Sequence, residues 1–92
     1  MFKSKADIKR QLTEGTDVYL VAVVGDKVVH KEHRVVSIAQ TNAVAFDTPD
    51  KDEPVWLYFN NDFGFHGEYF SLQTLGGSEY RYYLDESKWK EL

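Results

Sequence analysis

VYLVAVV, residues Val18–Val24, is a run of seven apolar or aromatic residues, four of them valine. Seven residues suit a strand better than a helix, and branched valine side chains pack well on a pleated surface. A strand that is apolar on both faces must be covered on both, so we expect a central strand. Gly25-Asp26 separates it from a second apolar run, which predicts a hairpin with a two-residue loop.

A short helix is predicted ahead of this strand, at residues 4–14. Ser4 is a good N-cap, and Asp7 stands three residues later, where a capping box places its acid. Ile8 and Leu12 supply a narrow apolar stripe. The basic residues that lie off this stripe indicate either a basic patch or a solvated helix face. They are Lys5, Lys9 and Arg10.

Residues 17–84 alternate short apolar runs with turn residues, which is typical of an antiparallel sheet. Gly15 is placed to end the helix in the left-handed conformation. With a two-residue hairpin loop, Asp17 falls opposite Arg34 as a cross-strand pair. Pro49-Asp50 predicts a β-turn. We predict six strands, at residues 18–24, 27–40, 43–47, 55–59, 68–74 and 80–84, with a loop at 60–67.

The fold class that follows is mainly β, in a single domain of residues 1–92. Short links and the absence of helical patterns between the strands favour a strongly curled antiparallel sheet or a small barrel, with the helix packed against it. Asp85 is expected to cap a final helical turn or short tail, residues 85–92, that carries Trp89. The residues predicted to be buried are Leu20, Val21, Val23, Phe46, Leu57, Phe70 and Leu72.

Charge is distributed unevenly along the chain, whose net charge is −4. Residues 1–34 carry seven basic and five acidic side chains, whereas residues 35–92 carry four and ten. Ten of the fourteen aromatic residues lie between Trp56 and Tyr83, within this acidic part. Such a surface repels phosphate backbones and attracts a basic protein partner. Mild acidity is also ordinary for a soluble protein.

The cellular compartment of the protein is indicated by features that the sequence lacks. There is no cysteine, which excludes thiol catalysis and cysteine-ligated zinc and suits a reducing cytoplasm. No apolar run approaches the ~18 residues of a membrane helix. The first residues lack the apolar segment of a signal peptide. We therefore expect a cytoplasmic protein.

Catalytic and metal-binding motifs are not recognisable in the sequence. His30 and His33 project to opposite faces of a regular strand, so they cannot share a metal ion. The four acids of residues 47–53 lack the glycine and the terminal glutamate of a calcium-binding EF-hand loop. There is no phosphate-binding glycine loop and no nucleophile elbow. We therefore expect a non-enzymatic protein with no cofactor and no metal site.

Phe63-Gly64-Phe65 is similar to the core of cold-shock and RNA-recognition sheets, in which aromatic rings stack on bases. Asn61 and Asp62 stand where those proteins have a basic residue and a glycine. Stacking without cations leaves out most of the affinity for nucleic acid. Binding of single-stranded nucleic acid is therefore the alternative to protein binding, and self-association in a structural role is a third possibility.

Aromatic residues exceed what one small core holds, and they fall on both faces of their strands. Tyrosine supplies contact area at low entropic cost, so they form either a recognition surface or the lining of a barrel wrapped by the helix and tails. We predict that a partner binds the acidic aromatic part and that acids at its rim speed association. The predicted binding residues are Trp56, Tyr58, Asp62, Glu68, Tyr69, Glu79, Tyr80, Tyr82 and Tyr83.

Three segments form a further pattern: Arg34-Val35-Val36, Gln40–Phe46 and Trp56–Phe59. The pattern resembles small, uncharacterised bacteriophage proteins, in which an Arg-x-Val strand leads to Gln-Thr-Asn-Ala-x-Ala-Phe and, after a polar turn, to Ser-Trp and further aromatics. Val55 stands here where that pattern has serine. The resemblance carries no catalytic role. It implies a phage or prophage origin and, by analogy of context, binding to a host protein such as a defence nuclease or a polymerase.

Overall fold

A computed structural model describes residues 1–48 and 52–92 and confirms the mainly β fold. Within these residues, seven antiparallel strands form one curled sheet, a half-barrel, with a short helix near each end of the chain. The predicted turn at Pro49-Asp50 lies outside the described residues. The elements are α1 (Lys5–Gln11), β1 (Asp17–Val24), β2 (Lys27–Ala39), β3 (Ala43–Asp47), β4 (Val55–Tyr58), β5 (Phe63–Phe65), β6 (Tyr69–Gln73), β7 (Ser78–Tyr83) and α2 (Glu86–Lys90).

β1 is the middle strand of the sheet, as its apolar sequence predicts. The strand order is β4-β3-β2-β1-β7-β6-β5, which puts three strands on each side of it. Val18 and Leu20 belong to the main core, whereas Tyr19, Val21 and Val23 belong to a second, smaller cluster. Because successive side chains of a strand point to opposite faces, both faces of β1 are buried.

The main core lies on the concave face of the sheet, where side chains from all seven strands meet. The ring of Phe70 packs between those of Phe2 and Tyr82, with centroid distances of 4.9 and 4.7 Å. α1 joins this core through Ile8, together with Leu12 just past its end; the two are 0% and 1% exposed. Six of the seven residues predicted to be buried are so, and Leu72 is half-buried.

α1 is shorter than the predicted helix. It begins after Ser4, and the Asp7 carboxylate accepts hydrogen bonds from the backbone N–H groups of Lys3 and Ser4 at 2.8 and 3.1 Å. It ends before Leu12, whose backbone angles of −92° and 76° are not helical. Gly15 has a φ of +89°, but it lies in the turn that follows and does not end the helix as predicted.

A β-bulge near the loop changes the register of the β1–β2 hairpin. The two-residue loop at Gly25-Asp26 is present as predicted. The shift that follows aligns Asp17 with Val35, so the predicted pairing of Asp17 with Arg34 is wrong. Asp17 instead lies beside His33, with 2.9 Å between its Oδ1 and the imidazole Nε2.

The structure adds one strand to the six predicted. Residues 60–67 were expected to form a loop, but β5 lies within them and pairs with β6, so that Phe63 aligns with Leu72. Three residues around Gly64 are too short a segment to show the alternation that marks a strand.

α2 covers the convex face of β1. Asp85 caps it as predicted, because its carboxylate accepts a hydrogen bond from the Ser87 N–H at 3.0 Å. Trp89 donates its Nε1–H to the carbonyl of Leu20 at 3.0 Å, and its ring lies 5.2 Å from that of Tyr19. Trp89 therefore joins α2 to the middle of the sheet.

The two tryptophans allow a matched test of this packing. We expect Trp89→Ala to lower the free energy of unfolding by about 2–4 kcal/mol, since it removes a large side chain that packs on β1. Trp56→Ala changes an edge strand, and we expect a loss of about 1 kcal/mol or less. Urea unfolding followed by circular dichroism measures both losses. Equal losses would contradict the assignment of Trp89 to the cover of β1.

Candidate functional site

A cavity of about 310 Å³ opens between β4 and the concave face of the sheet. β4 is an edge strand, and the cavity separates it from β6 and β7. Aromatic side chains supply much of the lining. We call this cavity the aromatic cleft and define it by Arg34, Trp56, Tyr58, Leu72, Tyr80 and Tyr82.

Arg34 is the charged side chain of the aromatic cleft, and it is only 15% exposed. Its guanidinium donates two hydrogen bonds to the Glu32 carboxylate, at 2.7 and 3.0 Å, and lies 6.0 Å from the ring of Phe46. The charges of Arg34 and Glu32 thus compensate each other, and the cleft presents polar and apolar surface in about equal measure, with the paired guanidinium at its wall. Such a wall suits contact with an aromatic or apolar group.

Tyr82 forms part of both the core and the cleft. Its ring stacks on Phe70 at 4.7 Å, and the side chain is 5% exposed. Burial raises the pKa of Tyr82 to about 12, and the positive charge of Arg34 opposes this increase only partly. The cleft floor is therefore a neutral, poorly hydrated tyrosine.

β4 presents unpaired backbone groups beside the cleft. The Phe59 N–H donates to the Asn42 carbonyl at 2.9 Å, and β4 continues from there in regular register with β3. Hydrogen-bonded pairs alternate in an antiparallel ladder, so the backbone groups of Trp56 and Tyr58 point away from β3. The Asn61 side-chain N–H donates a hydrogen bond to the Tyr58 carbonyl at 2.8 Å. No described residue pairs with the Trp56 N–H and C=O or with the Tyr58 N–H, which are therefore open to an added strand.

Four of the nine predicted binding residues line the aromatic cleft: Trp56, Tyr58, Tyr80 and Tyr82. Tyr58 is the most open of them, at 53% exposed. These four come from β4 and β7, which are distant in sequence and separated by three strands in the sheet, and they line one cavity because the sheet curls.

Tyr83 was expected on the surface, and that prediction is wrong, since it is 4% exposed. Its side chain does face away from Tyr82, but the opposite face is the one that α2 covers. Tyr69 lies on the same convex side, where its ring is 4.9 Å from that of Tyr83 and 4.5 Å from that of His66. These tyrosines form the second cluster and do not reach the cleft.

The predicted rim acids are dispersed. Glu68 lies 3.5 Å from the ammonium of Lys88 on α2. Glu79 pairs with Arg81 along β7, and Asp62 is exposed in the turn between β4 and β5. None of these three acids lines the aromatic cleft.

The sequence missed two features of the cleft. Arg34 and Leu72 become part of it only through the curl of the sheet, and their positions on β2 and β6 carry no local signal for a site. The alternation of Tyr80 and Tyr82 does place both on one face, and this is the signal that sequence reasoning used correctly.

The aromatic pair of the cold-shock-like motif faces inward. Phe63 and Phe65 pack against the main core, and the ring of Phe63 meets that of Phe70 edge to face at 5.6 Å. Bases stack on exposed aromatic faces in single-strand binders. The position of these two rings therefore does not favour that mode of binding.

The histidines are spread over the surface of the sheet. His30 lies 3.8 Å from Glu32, His33 contacts Asp17, and His66 Nε2 is 3.1 Å from Ser71 Oγ. Within residues 1–48 and 52–92, no three or more histidine, aspartate or glutamate side chains are grouped so as to hold a metal ion.

In comparisons with known proteins, no family model, no curated protein and no solved structure matches this chain. None of the helices in the described part of the chain is both long enough and apolar enough to cross a membrane.

The raised pKa of Tyr82 makes stability depend on alkaline pH. Between pH 10 and 12 the unfolded chain loses the Tyr82 proton while the folded chain keeps it. The contribution of Tyr82 to the free energy of unfolding is therefore fully present below pH 10 and is lost as the pH rises. We expect its titration to lower the free energy of unfolding by about 2 kcal/mol at pH 12. Tyr82→Phe should reduce the decrease by that amount in urea unfolding at pH 8, 10 and 12. Tyr58→Phe, at an exposed position, is the control, and identical pH profiles for wild type and Tyr82→Phe would contradict the prediction.

Proposed function

We propose that this chain is a non-enzymatic binding protein that takes up an extended segment of another protein along β4. The observation that carries the proposal is the position of the aromatic cleft directly beside the unpaired backbone of β4. Main-chain hydrogen bonds to a sheet edge supply affinity, and an adjacent pocket for a side chain supplies specificity. The cleft, at about 310 Å³, has room for one large apolar or aromatic side chain.

Among the described residues, the other free edges of the sheet are protected by charge or by short length, whereas β4, itself only four residues long, has no charged side chain. β2 extends past β3 over residues 27–34, but this part of the strand carries Lys27, Lys31 and Glu32. β5 has only three residues. Charges and short length are the usual protection of an edge against unwanted pairing. β4 has the sequence VWLY without any charge, which supports its use as a binding edge.

Charge near β4 supports a partner with basic residues. Asp52 and Glu53 precede the strand, and both are exposed, as is Asp47 at the end of β3. Acids at the rim of an interface attract a basic segment and increase the rate of association. The partner we propose therefore carries at least one lysine or arginine beside its apolar anchor.

The biological setting we propose is a phage or prophage protein that acts in the cytoplasm of a bacterial host. The resemblance of residues 34–59 to small bacteriophage proteins supports this origin. The proposed partner is then a host defence component or other host enzyme. Binding of one of its segments along β4 blocks or redirects that host protein.

The test is selection of peptides from a displayed library of random octapeptides, followed by mapping of the bound site with amide chemical shifts. We expect extended peptides with a large apolar residue, and shifts confined to β4 and the aromatic cleft. Trp56→Ala and Tyr58→Ala should each weaken binding at least tenfold, because aromatic anchors carry most interface energy.

Tyr69→Ala, an aromatic truncation on the convex face, is the matched control and should leave peptide affinity unchanged. Circular dichroism shows whether each variant is folded. Shifts that map to α2 and the convex face, or peptides insensitive to both β4 variants, would contradict the proposal.

A further inference from the structure

A second cavity, of about 410 Å³, lies where α1 meets the end of β4. We call it the lysine cavity. Tyr58 lines both this cavity and the aromatic cleft, so a segment that follows β4 reaches both. The lining consists of two lysines, two asparagines and two aromatic residues: Lys5, Lys9, Asn42, Tyr58, Phe59 and Asn60.

The two lysines are directed to the cavity by the helix and by aromatic rings. Lys5 and Lys9 are four residues apart, which puts them on one face of α1. The Lys5 ammonium lies 6.0 Å from the ring centroid of Phe63, and the Lys9 ammonium lies 5.6 Å from that of Phe59. Cation–π contacts of this length hold an ammonium near a ring without neutralising its charge.

Neither ammonium forms an ion pair with a carboxylate of residues 1–48 or 52–92. Arg10, the third basic residue of α1, differs in this respect, since it pairs with Asp7. Asn42 and Asn60 line the same cavity, and an asparagine carboxamide has two N–H donors. Two uncompensated cations with amide donors around them form a site for an oxyanion.

We infer that the lysine cavity binds a carboxylate of the segment that pairs with β4, from an acidic side chain near one end of that segment. The inference rests on the proposed function and adds the order of charges along the bound segment. Asp52 and Glu53 lie before β4 and the lysines lie beyond its end, so the bound segment is basic at one end and acidic at the other. A protein segment fits this surface better than nucleic acid, because Phe63 and Phe65 are turned into the core and the acids before β4 repel phosphates.

The experiment uses the full chain and three labelled peptides with the common core Thr-Val-Trp-Val-Thr. One peptide carries Glu-Glu at its amino end, one carries Glu-Glu at its carboxyl end, and one carries Gln-Gln in place of the acids. Fluorescence anisotropy gives the affinity of each peptide for wild type, for Lys5→Gln/Lys9→Gln and for the control Lys3→Gln/Lys27→Gln. The control removes the same net charge at positions that do not line the cavity.

We expect one of the two acidic peptides to bind wild type about fivefold to tenfold tighter than the glutamine peptide, as two exposed ion pairs provide. The advantage should disappear in Lys5→Gln/Lys9→Gln, persist in the control variant, and decrease as salt rises. The end of the peptide that carries the preferred acids also reports the direction of the added strand.

Equal binding of the acidic and glutamine peptides would overturn the inference and leave the proposed function standing. If none of the three peptides binds while selected octapeptides do, only the inference is overturned; if the octapeptide selection also yields no binder, the proposed function is overturned too. Side-chain amide shifts of Asn42 and Asn60 on titration with acetate, inorganic phosphate and a ten-residue oligothymidine identify the anion independently, with Gln73, which lines neither cavity, as the reference. Shifts that saturate with oligothymidine and not with the acidic peptide would replace the carboxylate by a nucleic-acid phosphate and overturn the assignment.

Discussion

Burial of both faces of β1 is the constraint on which the rest of the structure depends. A strand of seven apolar residues cannot leave either face in water, since each buried valine or leucine contributes about 1.5–3 kcal/mol. The concave face is covered by side chains from the whole sheet and from α1, and the convex face by α2 with Tyr83 and Trp89. One strand thus requires a curled sheet on one side and a helix on the other.

The curl that buries β1 also creates the site. β4 and β5 are the two edges of the sheet, and they are consecutive in the chain but do not pair with each other. The half-barrel therefore stays open along β4, where a cavity lined by residues of β4 and by Tyr80 and Tyr82 separates β4 from β7. A closed barrel would have filled this space with core side chains and removed the free edge.

Local sequence patterns predicted the features that depend on neighbouring residues, namely strand bounds and helix caps. β3 has the predicted bounds, residues 43–47, and the caps at Ser4 and Asp85 begin their helices. The bulge in β2 and the burial of Tyr83 depend on packing between distant elements, and no pattern of neighbouring residues predicts them. The aromatic excess indicated a recognition surface or a barrel lining, but composition alone does not separate Tyr80 and Tyr82, which line the cleft, from Tyr69 and Tyr83 on the convex face.

The division of the chain into a basic and an acidic part was a poor guide to the charge at the site. The fold brings α1, from the basic part, against the end of β4, from the acidic part, so that Lys5 and Lys9 lie beside Tyr58. Acids precede the same strand. A surface that changes sign along one strand discriminates against partners of uniform charge, because each of them meets repulsion at one end. Under the proposed function, selectivity at β4 would therefore depend on the order of charges in the partner more than on its net charge.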